Sequence, residues 1–383
     1  MKKAVRWLGM VLAIAVVIGT LRACGLLTRP FETPIADSDG EEGRAPGLTL
    51  KDVTLEQPGE DGELRWKVHA DEVIYSPDQQ TAEIVNPDGE LFQDGKVIYR
   101  VRADRGEIQQ DGETIFLKDN IVATGVENDL VLRGRELEWR PEDDLLLIRN
   151  QIRGIHPQLN ASAQEARVYN RDRRLELEKD VVATTNEAPY LRLEAETLTW
   201  FIEAEKVESD RPLKVEQLKG EVGDLQVSDR IKGDQGEVNL AENIVQLTQA
   251  VEVELLEQPL KILSDIAIWN VVAETILVPG AVRVIQPEQA VEVTANRGEM
   301  NIADSIVYLS QGVEAIGEEN QSQLKASRVT WNLESEEILA EGNVNYQQSD
   351  PPVTINGPRA VGRIEAQTVV ISGGNVVTEI TPQ

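Results

Sequence analysis

The chain has 383 residues and a net charge of −29, from 38 basic and 67 acidic side chains, and 41% of it is hydrophobic. That balance argues against a nucleic-acid binder, whose phosphate contacts need clustered Lys and Arg. The hydrophobic share is too high for a disordered polyanion, so a core is expected, in one large or two to three ordinary domains.

In chain order, "MKKAVRWLGMVLAIAVVIGTLRACGLLTRP" opens with Lys2, Lys3 and Arg6 and runs apolar from Trp7 to Leu21. A positive flank followed by an apolar run predicts a membrane anchor or signal, with the basic end cytoplasmic and the rest exported. Counted through Arg22, which can snorkel, to Leu27, the run approaches the roughly 20 residues a spanning helix needs. Cys24 is the single cysteine, so no intrachain disulfide is available. "LRACG" approximates a bacterial lipobox, with Arg22 a poor fit, so three readings stay open: an uncleaved transmembrane helix, lipidation at Cys24, or simple cleavage. Residues 1–27 form this segment, and 28–47, rich in Pro, Gly and acid, form a linker.

From 48 to about 380 one pattern repeats. A small residue is followed five positions later by a large one: "ADEVIY" at 70–75, "ADRGEI" at 103–108, "GRELEW" at 134–139, "AQEARV" at 163–168, "AETLTW" at 195–200. It continues as "GDQGEV" at 233–238, "SDIAIW" at 264–269, "ANRGEM" at 295–300, "ASRVTW" at 326–331 and, weakly, "GPRAVG" at 357–362. The large slot thus holds Tyr75, Ile108, Trp139, Val168, Trp200, Val238, Trp269, Met300 and Trp331. Tryptophan takes every second slot from Trp139 onward, doubling a period of about 31 residues. Thirteen residues after the slot comes a second apolar beat, Ile121, Ile152, Val181, Val251, Val282, Val313 or Val344. Val215 falls fifteen after Trp200 and Asp88 stands where an apolar residue is expected, so the first unit reads as an atypical cap.

Turn signals such as "SPDQQ", "RPEDD", "NRDRR" and "LESEE" separate short alternating runs rich in Val, Ile, Leu and Thr. No stretch of the body holds a capped 3.6-residue period, so the fold class is all-β, with antiparallel hairpins. The odd offset of five puts the small and large residues on opposite faces of a straight strand. A bulge or bend between them would return both to one interior, with the small residue letting the backbone turn tightly. The expected result is an elongated, folded-over antiparallel sheet, as one body or two fused units. Its interior is either a closed core or an open groove.

Chemistry is scarce. The two histidines, His69 and His156, are far apart and read as surface or strand-end residues, not a catalytic or metal pair. Pairs such as Glu136 and Glu138 arise readily among 67 acids. "KDN" at 118–120 and "PEDD" at 141–144 read as turn acids before calcium ligands. No Gly-rich phosphate loop precedes a helix. Arg105 and Arg297 read as outward structural charges. No cofactor, metal or catalytic constellation is expected.

The anchor at Trp7–Leu21, the slots opened by Ala103, Ala195, Ala295 and Ala326, and the valine beats resemble the OstA-type β-jellyroll domains of lipopolysaccharide transport, and in particular the inner-membrane-anchored LptC family. The resemblance spans residue 48 to about 375. It implies a non-enzymatic jellyroll whose apolar groove, lined by the nine large-slot residues, holds lipid A acyl chains. It further implies lipid supply from inner-membrane ABC transporter permeases and delivery to a periplasmic jellyroll bridge protein or outer-membrane translocon. The body is about twice the family's usual length, which leaves open a bridge-type carrier or an envelope repeat protein with a closed core.

Overall fold

The computed structural model describes residues 48–380 apart from 110–113, 222, 319–320, 350–351, 364–367 and 373–376. The anchor, the linker and Cys24 lie outside the described residues. Among the described residues there are 28 strands and no helix, and hence none long and apolar enough to cross a membrane. Residues 46–383 form one compact unit around one apolar core.

Alternation makes the strands. Ile115–Gly125 buries Ile115, Leu117, Ile121 and Ala123 and leaves Lys118, Asn120 and Thr124 in solvent. Leu260–Asn270 buries Leu260, Ile262, Ala267 and Trp269 in the same way. Each strand therefore has one apolar face, and among the described residues no helix covers it. The sheet buries that face against itself, folding over into two layers.

The long strands cross from one layer to the other, and their neighbours show it. Tyr190–Phe201 pairs from Arg192 to Phe201 with Arg174–Thr185 on one side. On the other side it meets two strands, Leu213–Lys219 against its first half and Lys206–Ser209 against its end. Leu64–Tyr75, Leu260–Asn270 and Pro352–Arg363 have divided neighbours of the same kind.

At each crossing the ladder slips, for example between Lys118 and Ile121, Glu178 and Val181, Thr248 and Val251, and Ser310 and Val313. The expected bulges are present. Their position differs from the expectation. Two consecutive residues in the left-handed region carry each one, Asp119–Asn120, Asn150–Gln151, Lys179–Asp180, Gln249–Ala250, Gln311–Gly312 and Gly342–Asn343, just before the second beat. The small residues lie on the neighbouring strand without a positive φ. At Gly134 there is no room for a side chain: a Cβ there would come within 2.5 Å of Ile148 Cγ2.

The register explains the second beat. Ile121 pairs with Gly134, Val181 with Ala195, Val251 with Ser264 and Val313 with Ala326. At each corner one bulky aliphatic residue faces one small residue across the ladder, and the fold closes tightly there. The unit after Trp200 conforms after all. Leu213, thirteen residues on, pairs with Ala195 as Val282 pairs with Ser264, and Val215 is the next inward residue of that strand.

Candidate functional site: the apolar trough and its seam

The nine large-slot residues form one feature. Following the ladders from strand to strand, Tyr75 is paired with Ala82, Ala82 with Ile108, Ile108 with Ile115 and Ile115 with Trp139. The row continues through Leu146, Val168, Leu175 and Trp200. Val207, Val238, Val245, Trp269 and Ile276 follow, and then Met300, Val307, Trp331 and Ile338. It ends with Gly362 and Val369. At about 4.8 Å per strand this unbroken row is on the order of 90 Å long. A one-residue slip in any of these ladders would have turned the following strand's side chains outward, so the register of the repeats is what keeps the row on one face.

The row lines a filled interior. Trp139, Trp200, Trp269 and Trp331 are each 1% exposed or less, Ile108, Val168, Val238 and Met300 are buried, and Tyr75 packs against the same core half-buried. The Trp139 Nε1–H donates to the Arg65 carbonyl at 3.3 Å. The Nε1–H groups of Trp200, Trp269 and Trp331 are buried without an acceptor. An unpaired buried donor costs about 1–3 kcal/mol, so three of them in one apolar channel are unusual.

Polar bridges join the free lips of the two layers over most of this length. Near the start, Arg65 reaches Glu142 at 3.5 Å. Next, Gln93 donates to Asp144 and accepts from Asn170 Nδ2 at 2.6 Å, while Arg171 donates its backbone N–H to Asp144 at 2.9 Å and pairs with Asp94 at 3.1 Å. Arg173 faces Glu127, Gln158 Nε2 donates to the Ile202 carbonyl at 3.5 Å, and Lys219 meets Glu274 at 3.1 Å. Gln258 repeats the Gln158 bond with the same 44-residue offset, donating to the Ile302 carbonyl at 3.4 Å and to Ser305. His156, from the lip loop, sets its ring edge-on to Trp200 at 5.0 Å. Burial holds its imidazole below the ordinary histidine range, which favours the neutral form that suits a cover over an indole.

Beside the Lys219–Glu274 bridge stands Asp229, a carboxyl almost without solvent access. Burial pushes its pKa up, against the pull of the Ser228 hydroxyl and of Lys219. The outer face carries the charge instead. Burial alone would raise Glu216, but hydrogen bonds from Arg230, Arg192 and Lys214 hold it below the usual carboxylate range.

Past the Gln258–Ser305 bridge, at the C-terminal end of the row, lies an apolar cavity of about 120 Å³. Val291, Ala315, Leu324, Ile338, Ala340 and Ala360 form its walls, and Gln289, Ser322, Tyr346 and Arg363 stand around them.

Sequence reasoning found the row and missed the seam and the cavity. Gln93, Asp144, Asn170, Gln158 and Gln258 carry no motif, and their partners are 44 to 77 residues distant. Among the described residues no group of His, Cys, Asp or Glu is placed to hold a metal ion. His69 and His156 do not come together: His69 faces Asp52 and Thr54, whereas His156 sits at the seam. Arg105 and Arg297 are both exposed, Arg105 paired with Asp119 across the ladder.

A sheet folded over a continuous apolar trough is the architecture of a β-jellyroll. The family model for lipopolysaccharide-assembly, LptC-related proteins matches residues 12–138, 140–223 and 275–368, and the chain belongs to that family. No curated protein sequence matches it significantly. Among solved structures, one similar chain is LptH from Pseudomonas aeruginosa, described as the LptA-homologous periplasmic component of the lipopolysaccharide transport device. The likeness covers 33% of this chain and 97% of that one, at 14% identity and a TM-score of 0.30.

Proposed function

We propose that this protein is a non-enzymatic component of lipopolysaccharide transport. It receives lipid from inner-membrane ABC transporter permeases and shelters acyl chains in the trough. It then passes them to a periplasmic jellyroll bridge protein or an outer-membrane translocon. Residues 1–27 hold it to the inner membrane, as a single span or through acylated Cys24, with the body in the periplasm. Family membership supports this reading, and one observation carries it: the unbroken inward row from Tyr75 to Ile338. An apolar surface that runs without interruption can stabilise a sliding chain by about 0.8 kcal/mol per buried methylene, with no fixed binding point. The unpaired indole N–H groups of Trp200, Trp269 and Trp331 suit the ester and amide carbonyls that attach acyl chains to a lipid headgroup. In the resting state the row is core, and lipid reaches it when the lips part.

A photo-crosslinking residue at position 200, 269 or 331, one at a time in cells, is expected to trap lipopolysaccharide. Folded and abundant protein that traps none at all three would overturn the proposal. The filled interior and bridged lips favour one rival, an envelope repeat protein with a permanently closed core. That rival gains if the crosslinkers stay silent.

A further inference from the structure

The repeat has a tenth large slot, and it holds Gly362. Its neighbours in the row are Ile338 on one side and Val369 on the other, so the pattern leads into this position and then omits the side chain. Neither of the usual reasons for a glycine applies. Its φ lies outside the left-handed region, and among the described residues an added Cβ would find no atom nearer than Thr368 O at 3.7 Å and Val369 Cγ2 at 3.8 Å. Gly134 shows the contrast, since a Cβ there would meet Ile148 at 2.5 Å. Gly362 lies on the wall of the C-terminal cavity, at the one slot of the row where no side chain fills the interior.

We propose that this cavity is the resting seat for the end of one fatty acyl chain of lipopolysaccharide, created by Gly362 in a slot that every earlier unit fills. The proposal rests on the lipid-transport reading and gives it a site. A cavity this small and apolar suits the end of a single alkyl chain better than a peptide, whose backbone would need polar partners. The rim supplies the complement to the headgroup: Arg363 is exposed, its Nε 3.5 Å from Glu337, and a guanidinium there can meet a phosphate. The polar bridges joining the lips reach Ser305 and the cavity lies beyond them, so a chain seated here need break none of those bridges. From this seat Ile338 and Trp331 lead directly into the long row.

The test uses the purified full chain and diazirine-tagged myristic acid, with peptide mapping of the adducts. Labelling is expected on the strands Ser322–Asn332, Glu337–Ser349 and Thr368–Ser372, and unlabelled lipopolysaccharide should compete it away. Gly362→Leu should reduce labelling at least tenfold with the melting temperature unchanged or raised. Labelling that persists in Gly362→Leu, or that maps to the trough between Trp139 and Trp269, overturns the site while leaving lipid transport standing. No labelling anywhere removes both. Competition by a strand peptide but not by lipopolysaccharide assigns the cavity to a protein partner instead and overturns the proposal. If Gly362→Leu fails to fold, the wild-type adduct map decides alone.

Discussion

Trp269 shows what the large slot does at the residue scale. Its indole is buried between Val245 and Ile276 on the flanking strands, and its Nε1–H has no acceptor. Packing therefore holds it, with no hydrogen bond to compensate. Trp269→Ala should cost about 3–5 kcal/mol, the usual range for a buried tryptophan, as a lower midpoint in urea. Trp269→Phe should recover most of the loss, because it restores apolar volume and removes the unpaired donor. All nine slot residues were legible in the sequence because each unit repeats its small-to-large offset. Leu213 was overlooked for a physical reason: Pro212 and the Asp210–Arg211 turn precede it, and the sequence shows Val215 as the obvious apolar residue there.

At the scale of the element, the crossing from layer to layer depends on pairs of left-handed residues. Asn, Asp and Gly adopt that conformation readily, but Lys179 and Ala250 do so at a cost. The bulge at Lys179–Asp180 should therefore tolerate Asn–Gly and reject β-branched residues. Changing both to Val should lose about 1–2 kcal/mol per position in urea unfolding, whereas Lys179→Asn should be neutral or stabilising. The phase flip that predicts a bulge is visible in one strand alone. Which strand takes the extra residue is decided by pairing, since a ladder can absorb the mismatch on either side.

For the whole molecule, the deciding feature is the seam. Gln93 and Asp144 are both buried, bridge the two lips, and gather Asn170 and Arg171 around them. Replacing both by Ala should loosen the lips locally, at about 1–3 kcal/mol for each polar partner left behind. Hydrogen exchange should then rise at least tenfold in Val131–Arg140 and Leu145–Ile155. Ser322–Asn332, far along the row, should exchange as before, because each repeat contacts only its neighbours. Uniform acceleration along the body would show instead that the trough opens as one piece. Within the transport reading, the seam bridges the trough as far as Ser305, and the apolar cavity lies beyond it.

The amino-acid sequence by itself determined the all-β class, the repeat and the inward row. These depend on periodicity along one strand, which a linear chain records directly. Only the tertiary structure decided that the interior is filled at rest, that bridges such as Gln158–Ile202 and Gln258–Ser305 join the lips, and that Gly362 leaves a void. Those depend on how far apart two folded-over layers stand, a distance set by packing between residues 44 to 77 positions apart, which no local pattern encodes.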